Sequence, residues 1–198
     1  MKQSCHLNLT LESDSVPLFF QFLQRGVVVE ARIDCAIRAF LCDQLGLDPD
    51  YVDRRIQTLF LDGKSVDDLD SPILKQGSVL SLSAAMPGLL GAVLRRGSRY
   101  AAMRTQIAHK GEPTSVPDRE GTIVLKLFNL LTRELGPIVL KRGIWIEGKD
   151  LGEFFSARSD RFRAGCLMAQ IDGDRIDPDN LTHIDWGDEK IFLQIQAE

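Results

Sequence analysis

The sequence predicts an α+β protein built from two tandem copies of one compact unit. Three ordered matches carry that expectation. Leu23-Gln24-Arg25-Gly26-Val27-Val28-Val29-Glu30 returns as Leu140-Lys141-Arg142-Gly143-Ile144-Trp145-Ile146-Glu147. Leu61-Asp62-Gly63-Lys64-Ser65-Val66-Asp67 returns as Ile171-Asp172-Gly173-Asp174-Arg175-Ile176-Asp177, and Gly77-Ser78 as Gly187-Asp188. The offsets are 117, 110 and 110 residues. Self-similarity that keeps its order marks a repeated unit. A chain of 198 residues holds two units of roughly 80 residues each. Units so small bury modest cores and can lean on each other or on their linker.

In the first copy, His6–Thr10 alternates as a strand does, with Leu7 and Leu9 against Asn8 and Thr10. Phe19–Leu23 extends it or forms part of an elaborated hairpin. A turn at Gln24-Arg25-Gly26 leads into the β-branched strand Val27–Ile33. Asp34 is placed to cap a helix whose apolar face is Ile37, Phe40, Leu41 and Leu45, ending at Gly46. Asp48-Pro49 reads as the cap and first position of a second short helix. Ile56–Leu61 is a strand, Asp62-Gly63 a tight turn, and Val79–Ala84 the closing strand.

The second copy follows the same plan. Thr122–Leu131 reads as a strand, broken by Glu134-Leu135-Gly136-Pro137. Ile138–Glu147 reads as the next strand, bent near Arg142-Gly143. Asp150 takes the cap role of a helix with Leu151, Phe154, Phe155 and Phe162 on its apolar side. Cys166–Ile171, a turn at Asp172-Gly173 and Lys190–Gln196 complete the order β-β-α-β-β.

The stretches Thr58-Leu59-Phe60-Leu61-Asp62-Gly63-Lys64 and Gly77-Ser78-Val79-Leu80-Ser81-Leu82 resemble the ubiquitin-like β-grasp superfamily. The resemblance spans roughly 6–84 and 121–197. It implies two tandem β-grasp domains, each a mixed sheet packed on one main helix, whose two end strands lie parallel. The expected layout is a first β-grasp domain at 1–85, a basic, glycine-bearing segment and linker at 86–120, and a second β-grasp domain at 121–198. A shared fold does not carry chemistry with it. Some β-grasp carriers end in Gly-Gly; here the first copy runs into Ala84-Ala85-Met86-Pro87-Gly88 and the second into Ile195-Gln196-Ala197-Glu198. Others hold an iron–sulfur cluster on closely spaced cysteines, whereas Cys5, Cys35, Cys42 and Cys166 are scattered and read as small core hydrophobes.

No metal site or cofactor is expected. The cysteines form no C-x-x-C pair, and His6, His109 and His183 lie in different segments. Asp172, Asp174, Asp177 and Asp179 crowd one loop, but their spacing is not that of a calcium loop, and Asp is a preferred turn former. No Ser or Cys sits in a recognisable nucleophile motif. The start of the chain carries no apolar signal region, and no run reaches the roughly 18 apolar residues of a membrane span. A cytoplasmic protein without a membrane span follows as the expectation.

Charge is uneven along the chain. Residues 1–84 carry 8 basic and 12 acidic groups, residues 121–198 carry 10 and 13, and residues 85–120 carry 6 and 3. Two acidic bodies around a basic middle argue against general nucleic-acid binding, which needs a broad basic face. The stretch Met86–Arg104 is the least ordinary. Its Leu89, Leu90, Val93, Leu94, Tyr100 and Met103 are too apolar for a spacer. They predict a segment packed on the first copy that presents Arg95, Arg96, Arg99 and Arg104, with Gly88 and Gly91 allowing close backbone approach to a partner or anion. Gly111–Gly121 reads as the flexible linker.

The function expected from this pattern is that of a non-enzymatic interaction or adaptor protein with a protein partner. Two alternatives stand beside it. One is an accessory factor in cofactor or sulfur metabolism, related to β-grasp carriers but lacking their tail. The other is a small-ligand or anion binder at the inter-domain cleft.

Overall fold

The computed structural model describes residues 5–86, 88–99 and 119–198. The main strands are β1 (Cys5–Leu11), β2 (Val27–Ile33), β4 (Thr58–Leu61), β5 (Lys64–Ser65), β7 (Val79–Ser83), β8 (Arg119–Phe128), β9 (Ile144–Glu147), β10 (Cys166–Ile171), β11 (Asp174–Ile176) and β12 (Lys190–Ala197). A minor pair, β3 (Cys35–Ala36) and β6 (Ile73–Leu74), forms its own two-stranded sheet. The helices are α1 (Phe20–Arg25), α2 (Ile37–Ala39, continued by a wide π turn at Phe40–Gln44), α3 (Pro49–Arg55), α4 (Gly88–Leu94), α5 (Leu130–Arg142) and α6 (Gly148–Gly165).

The expected pair of separate β-grasp domains, each a sheet on one main helix, is corrected here. The expected copies do not close on themselves: β8, expected in the second copy, pairs with β2 and β7, and β1, expected in the first, pairs with β10 and β12. The chain nevertheless divides into two compact units. One comprises Leu23–Thr132; the other joins Met1–Phe22 to Arg133–Glu198.

In the unit Leu23–Thr132, β8 pairs antiparallel with β2 and parallel with β7, and β4 pairs antiparallel with both β7 and β5. Alternation sets the core. Val27, Val29, Ala31 and Ile33 of β2, Leu59 and Leu61 of β4, Leu80 and Leu82 of β7, and Ile123, Leu125 and Leu127 of β8 are buried on one face. Ile37, Phe40 and Leu41 of α2 are fully buried with them, as their helical spacing predicts. Asp34 does not cap α2. It sits at φ 62°, and its carboxylate pairs with the Arg119 guanidinium at 2.5 Å. Asp48 does cap α3, accepting the Tyr51 N–H at 3.1 Å.

In the other unit, β1 pairs parallel with β12 and antiparallel with β10, while β12 pairs antiparallel with β9 and β10 with β11. Leu7, Leu9 and Leu11 of β1 and Ile191, Leu193 and Ile195 of β12 are buried, with Leu151, Phe154, Phe155 and Phe162 of α6. Rings hold this core together: Phe19 lies 4.5 Å from Phe154, and Phe155 lies 4.8 Å from Phe162, centroid to centroid. Such ring pairs add to the burial of their area. No carboxylate caps α6: Asp150 lies inside its first turn, and the residue before the helix, Glu147, makes no side-chain cap bond.

The two units arrange their strands alike. Both five-strand runs read antiparallel, parallel, antiparallel, antiparallel from their β2 or β9 side. Asp62 accepts the Val79 N–H at 2.7 Å and donates its own N–H to the Val79 carbonyl. Asp172 makes the same two bonds to His6. The slot held by β7 in one unit is therefore held by β1 in the other, and the slot of β8 by β12. Two expected strand segments are helical instead. Arg25-Gly26 and Arg142-Gly143 each end a helix (α1, α5) and open a strand (β2, β9). Leu131, Leu135 and Val139 recur at helical spacing and are buried, so α5 forms in spite of Pro137.

Candidate functional site

Two rows of side chains cross the face of the Leu23–Thr132 sheet that is turned away from α2. Register places Phe60 beside Ser81 and Ser81 beside Lys126, and places Thr58 beside Ser83 and Ser83 beside Phe128. All six alternate with the buried leucines, so they share the opposite face. On these rows lies a cavity of about 280 Å³, lined by Phe60, Ser81, Leu82, Ser83, Met86, Phe128 and Asn129. Among the described residues, no charged side chain lines it.

Local structure accounts for each wall. Asn129 sits at φ 56°, the left-handed conformation Asn tolerates, and turns the chain from β8 into α5. Its amide donates to the Ser83 hydroxyl at 2.8 Å, which joins the cavity floor to that corner. The corner is tied again by the Thr132 hydroxyl, which donates to the Leu127 carbonyl at 2.8 Å. Phe128 ends β8 with 37% of its surface exposed. Met86 is backed by α4: a Cβ added at Gly91 would meet the Met86 carbonyl oxygen at 2.0 Å. Leu89 of α4 is 73% exposed, and Leu130 of α5 50%.

The structure distributes the predicted binding residues unequally. Gly88 opens α4, and Gly91 is the close contact with Met86. Arg95 and Arg99 are exposed. Arg96 points inward, with 14% of its side chain exposed. Its guanidinium donates to the carbonyls of Ile56 at 2.9 Å, Val52 at 3.3 Å and Asp67 at 3.3 Å, and lies 3.4 Å from the Asp53 carboxylate. A cation on the last carbonyls of α3 complements that helix end. Arg104 and His109 lie outside the described residues. Four arginines on one outward face are thus not what the described part of this segment presents. The cavity residues Phe60 and Phe128 were hidden inside ordinary strand patterns. The available signal was an aromatic at an alternate position, opposite the leucine face.

In the other unit, the same alternation sets His6, Phe192 and Trp145 in one cross-strand row. Their ring centroids lie 5.0 to 6.2 Å apart. The crowded aspartates act singly. Asp172 holds His6, Asp177 accepts the Asp179 N–H at 3.0 Å, and Asp179 lies 3.5 Å from Arg163. Among the described residues, no group of three or more His, Cys, Asp and Glu is placed to hold a metal ion. Burial pushes the Cys166 thiol up to about 11, and burial first, then the Asp172 charge, raises Cys5. Burial also raises Cys42. These three thiols are protonated at neutral pH, the unreactive form.

Among the described residues, no helix is long and apolar enough to cross a membrane. The chain matches no protein-family model, no curated protein and no solved structure.

Proposed function

We propose that this chain is a non-enzymatic interaction protein that captures a polypeptide partner on the open sheet face of its Leu23–Thr132 unit. The observation that carries this reading is the uncharged cavity of Phe60, Ser81, Ser83, Met86, Phe128 and Asn129. Exposed apolar residues stand beside it in sequence: Phe128 and Leu130 flank Asn129, and Leu89 lies on α4, whose Gly91 packs on Met86. Contiguous apolar surface rimmed by polar groups marks an interaction site rather than a solvated face. An uncharged lining suits an apolar or aromatic side chain, an anchor type that dominates protein interfaces.

The test is Phe128→Asp in the full chain. Phe128 is part-exposed, so the variant is expected to melt close to the parent while losing capture of partners from native lysate. A folded Phe128→Asp chain that captures the same proteins at the same yield overturns the reading.

A further inference from the structure

The open face is not open everywhere. Thr58 shares it with Phe60, and Ser65 lies directly opposite Phe60, so both hydroxyls project from that face. Yet Thr58 and Ser65 are each 1% exposed. Their hydroxyl oxygens have no hydrogen-bond partner, and neither does the side-chain carbonyl of neighbouring Gln57. Two such hydroxyls on one face are unusual, because buried polar groups in folded proteins are nearly always paired.

One neighbouring segment is fixed at both ends of this corner. Met86 lines the cavity with Phe60, and Gly91 of α4 packs on Met86. At the other end, Arg96 donates its N–H to the Gln57 carbonyl at 2.8 Å, and Gly97 donates to the Asp67 carboxylate at 3.0 Å. Gln57 precedes Thr58, and Asp67 lies two residues past Ser65. The helix between those anchors, with Leu94 buried, runs from the Met86 end of the cavity to the Gln57 and Asp67 end.

We infer that Gly88–Ser98 is a releasable strap, and that its release extends the cavity into a groove that takes an extended stretch of a partner polypeptide. The inference rests on the proposed capture of a polypeptide at this cavity and names its regulation. The strap ends beside polar atoms that it leaves without hydrogen bonds, so the closed contact is weak where it should be tight. Both unpartnered hydroxyls can accept a hydrogen bond. An extended peptide supplies main-chain N–H donors at strand spacing beside an apolar anchor, which neither an anion nor a hydrocarbon does. Arg96 is the latch, since it makes the bonds that close the strap.

Two variants move in opposite directions. Arg96→Gln is expected to speed amide hydrogen exchange several-fold in residues 88–98, with exchange in β2 and β8 unchanged. Thr58→Val with Ser65→Ala removes the unpartnered hydroxyls at nearly constant shape. It is expected to slow exchange in the strap and to raise the melting temperature by about 2 °C or more. A random dodecapeptide library displayed on phage is the binding probe. Peptides enriched on the parent chain should bind several-fold better to Arg96→Gln and several-fold worse to the Thr58→Val, Ser65→Ala chain. The strap is overturned if the hydroxyl-free chain is less stable than the parent. It also falls if Arg96→Gln leaves exchange unchanged, or if no enriched peptide responds to either variant. Phe128→Asp separates the two readings. Peptides lost on Phe128→Asp but blind to Thr58 and Ser65 uphold the cavity and sink the strap. Peptides that respond to the strap variants but ignore Phe128→Asp sink the cavity.

Discussion

At the scale of single residues, the conformation of two glycines and the protonation of one thiol can be checked directly. Gly63 and Gly173 sit at φ 78° and 91°, each after an Asp near φ 50°, so both Asp-Gly pairs form the tight hairpin turn their sequence predicts. A Cβ at either glycine meets nothing within 4 Å, so strain there comes from the backbone alone. Gly63→Ala and Gly173→Ala should each cost about 1 kcal/mol or more in urea unfolding. A neutral result at both would mean that the turns adjust freely. Cys166 titrates near 11 because burial disfavours its thiolate. Its folded value lies above the ordinary 9.0, so its contribution is fully present below pH 9.0 and is lost as pH rises toward 11. At pH 8 only about one Cys166 in a thousand is thiolate. Mass-spectrometric labelling with iodoacetamide should show it reacting far more slowly than glutathione. Equal rates would place the thiol in water.

At the scale of elements, α3 shows how a seven-residue helix is held. Too short to persist alone, it relies on its ends. Asp48 caps the first turn, Pro49 opens it, and Arg96 covers carbonyls at the far end. Asp48→Ala should cost about 1 kcal/mol, measured by the shift of the urea midpoint at constant slope. An unchanged midpoint would show that Arg96 holds α3 without the cap. The cap was legible because Asp-Pro before an amphipathic run has one local meaning. The role of Arg96 was not. Its charge suggested an outward face, and only the placement of α3 and Asp67 beside it turns that charge inward. Likewise α5 reads as a broken strand while Gly136-Pro137 is weighed locally, and becomes a helix once Leu131, Leu135 and Val139 find a core.

At the scale of the whole molecule, strands distant in sequence complete each unit. Within Leu23–Thr132, β2 pairs with β8 alone, although β8 lies past residue 118. In the other unit, β1 fills the place between β12 and β10 from the far end of the chain. Fragments 1–85 and 121–198 made separately should therefore fail to melt cooperatively by circular dichroism, while the full chain does. A cooperative melt of isolated 1–85 would contradict this exchange of strands. The regrouping also moves charge. The unit of Met1–Phe22 with Arg133–Glu198 carries 10 basic and 15 acidic residues, and Leu23–Thr132 carries 14 and 13. The two acidic bodies read along the chain become one acidic unit and one nearly neutral unit.

The sequence by itself determined what is local: the strand periodicities, the Asp-Gly turns, the apolar faces of α2 and α6, and the ordered echo between Leu61–Asp67 and Ile171–Asp177. Each depends on neighbours within a few residues, where backbone preference and side-chain period act. Only the tertiary structure decided which strand lies beside which. Pairing is a contest between edges of similar β-branched and leucine-rich composition, and His6 on Asp172 meets the same hydrogen-bonding demand as Val79 on Asp62. Hydrophobic alternation names the face a strand buries, but not its partner. The cavity at Phe60 and Phe128 follows from that choice, because β4 and β8 share its walls through β7, and no local pattern brings them together.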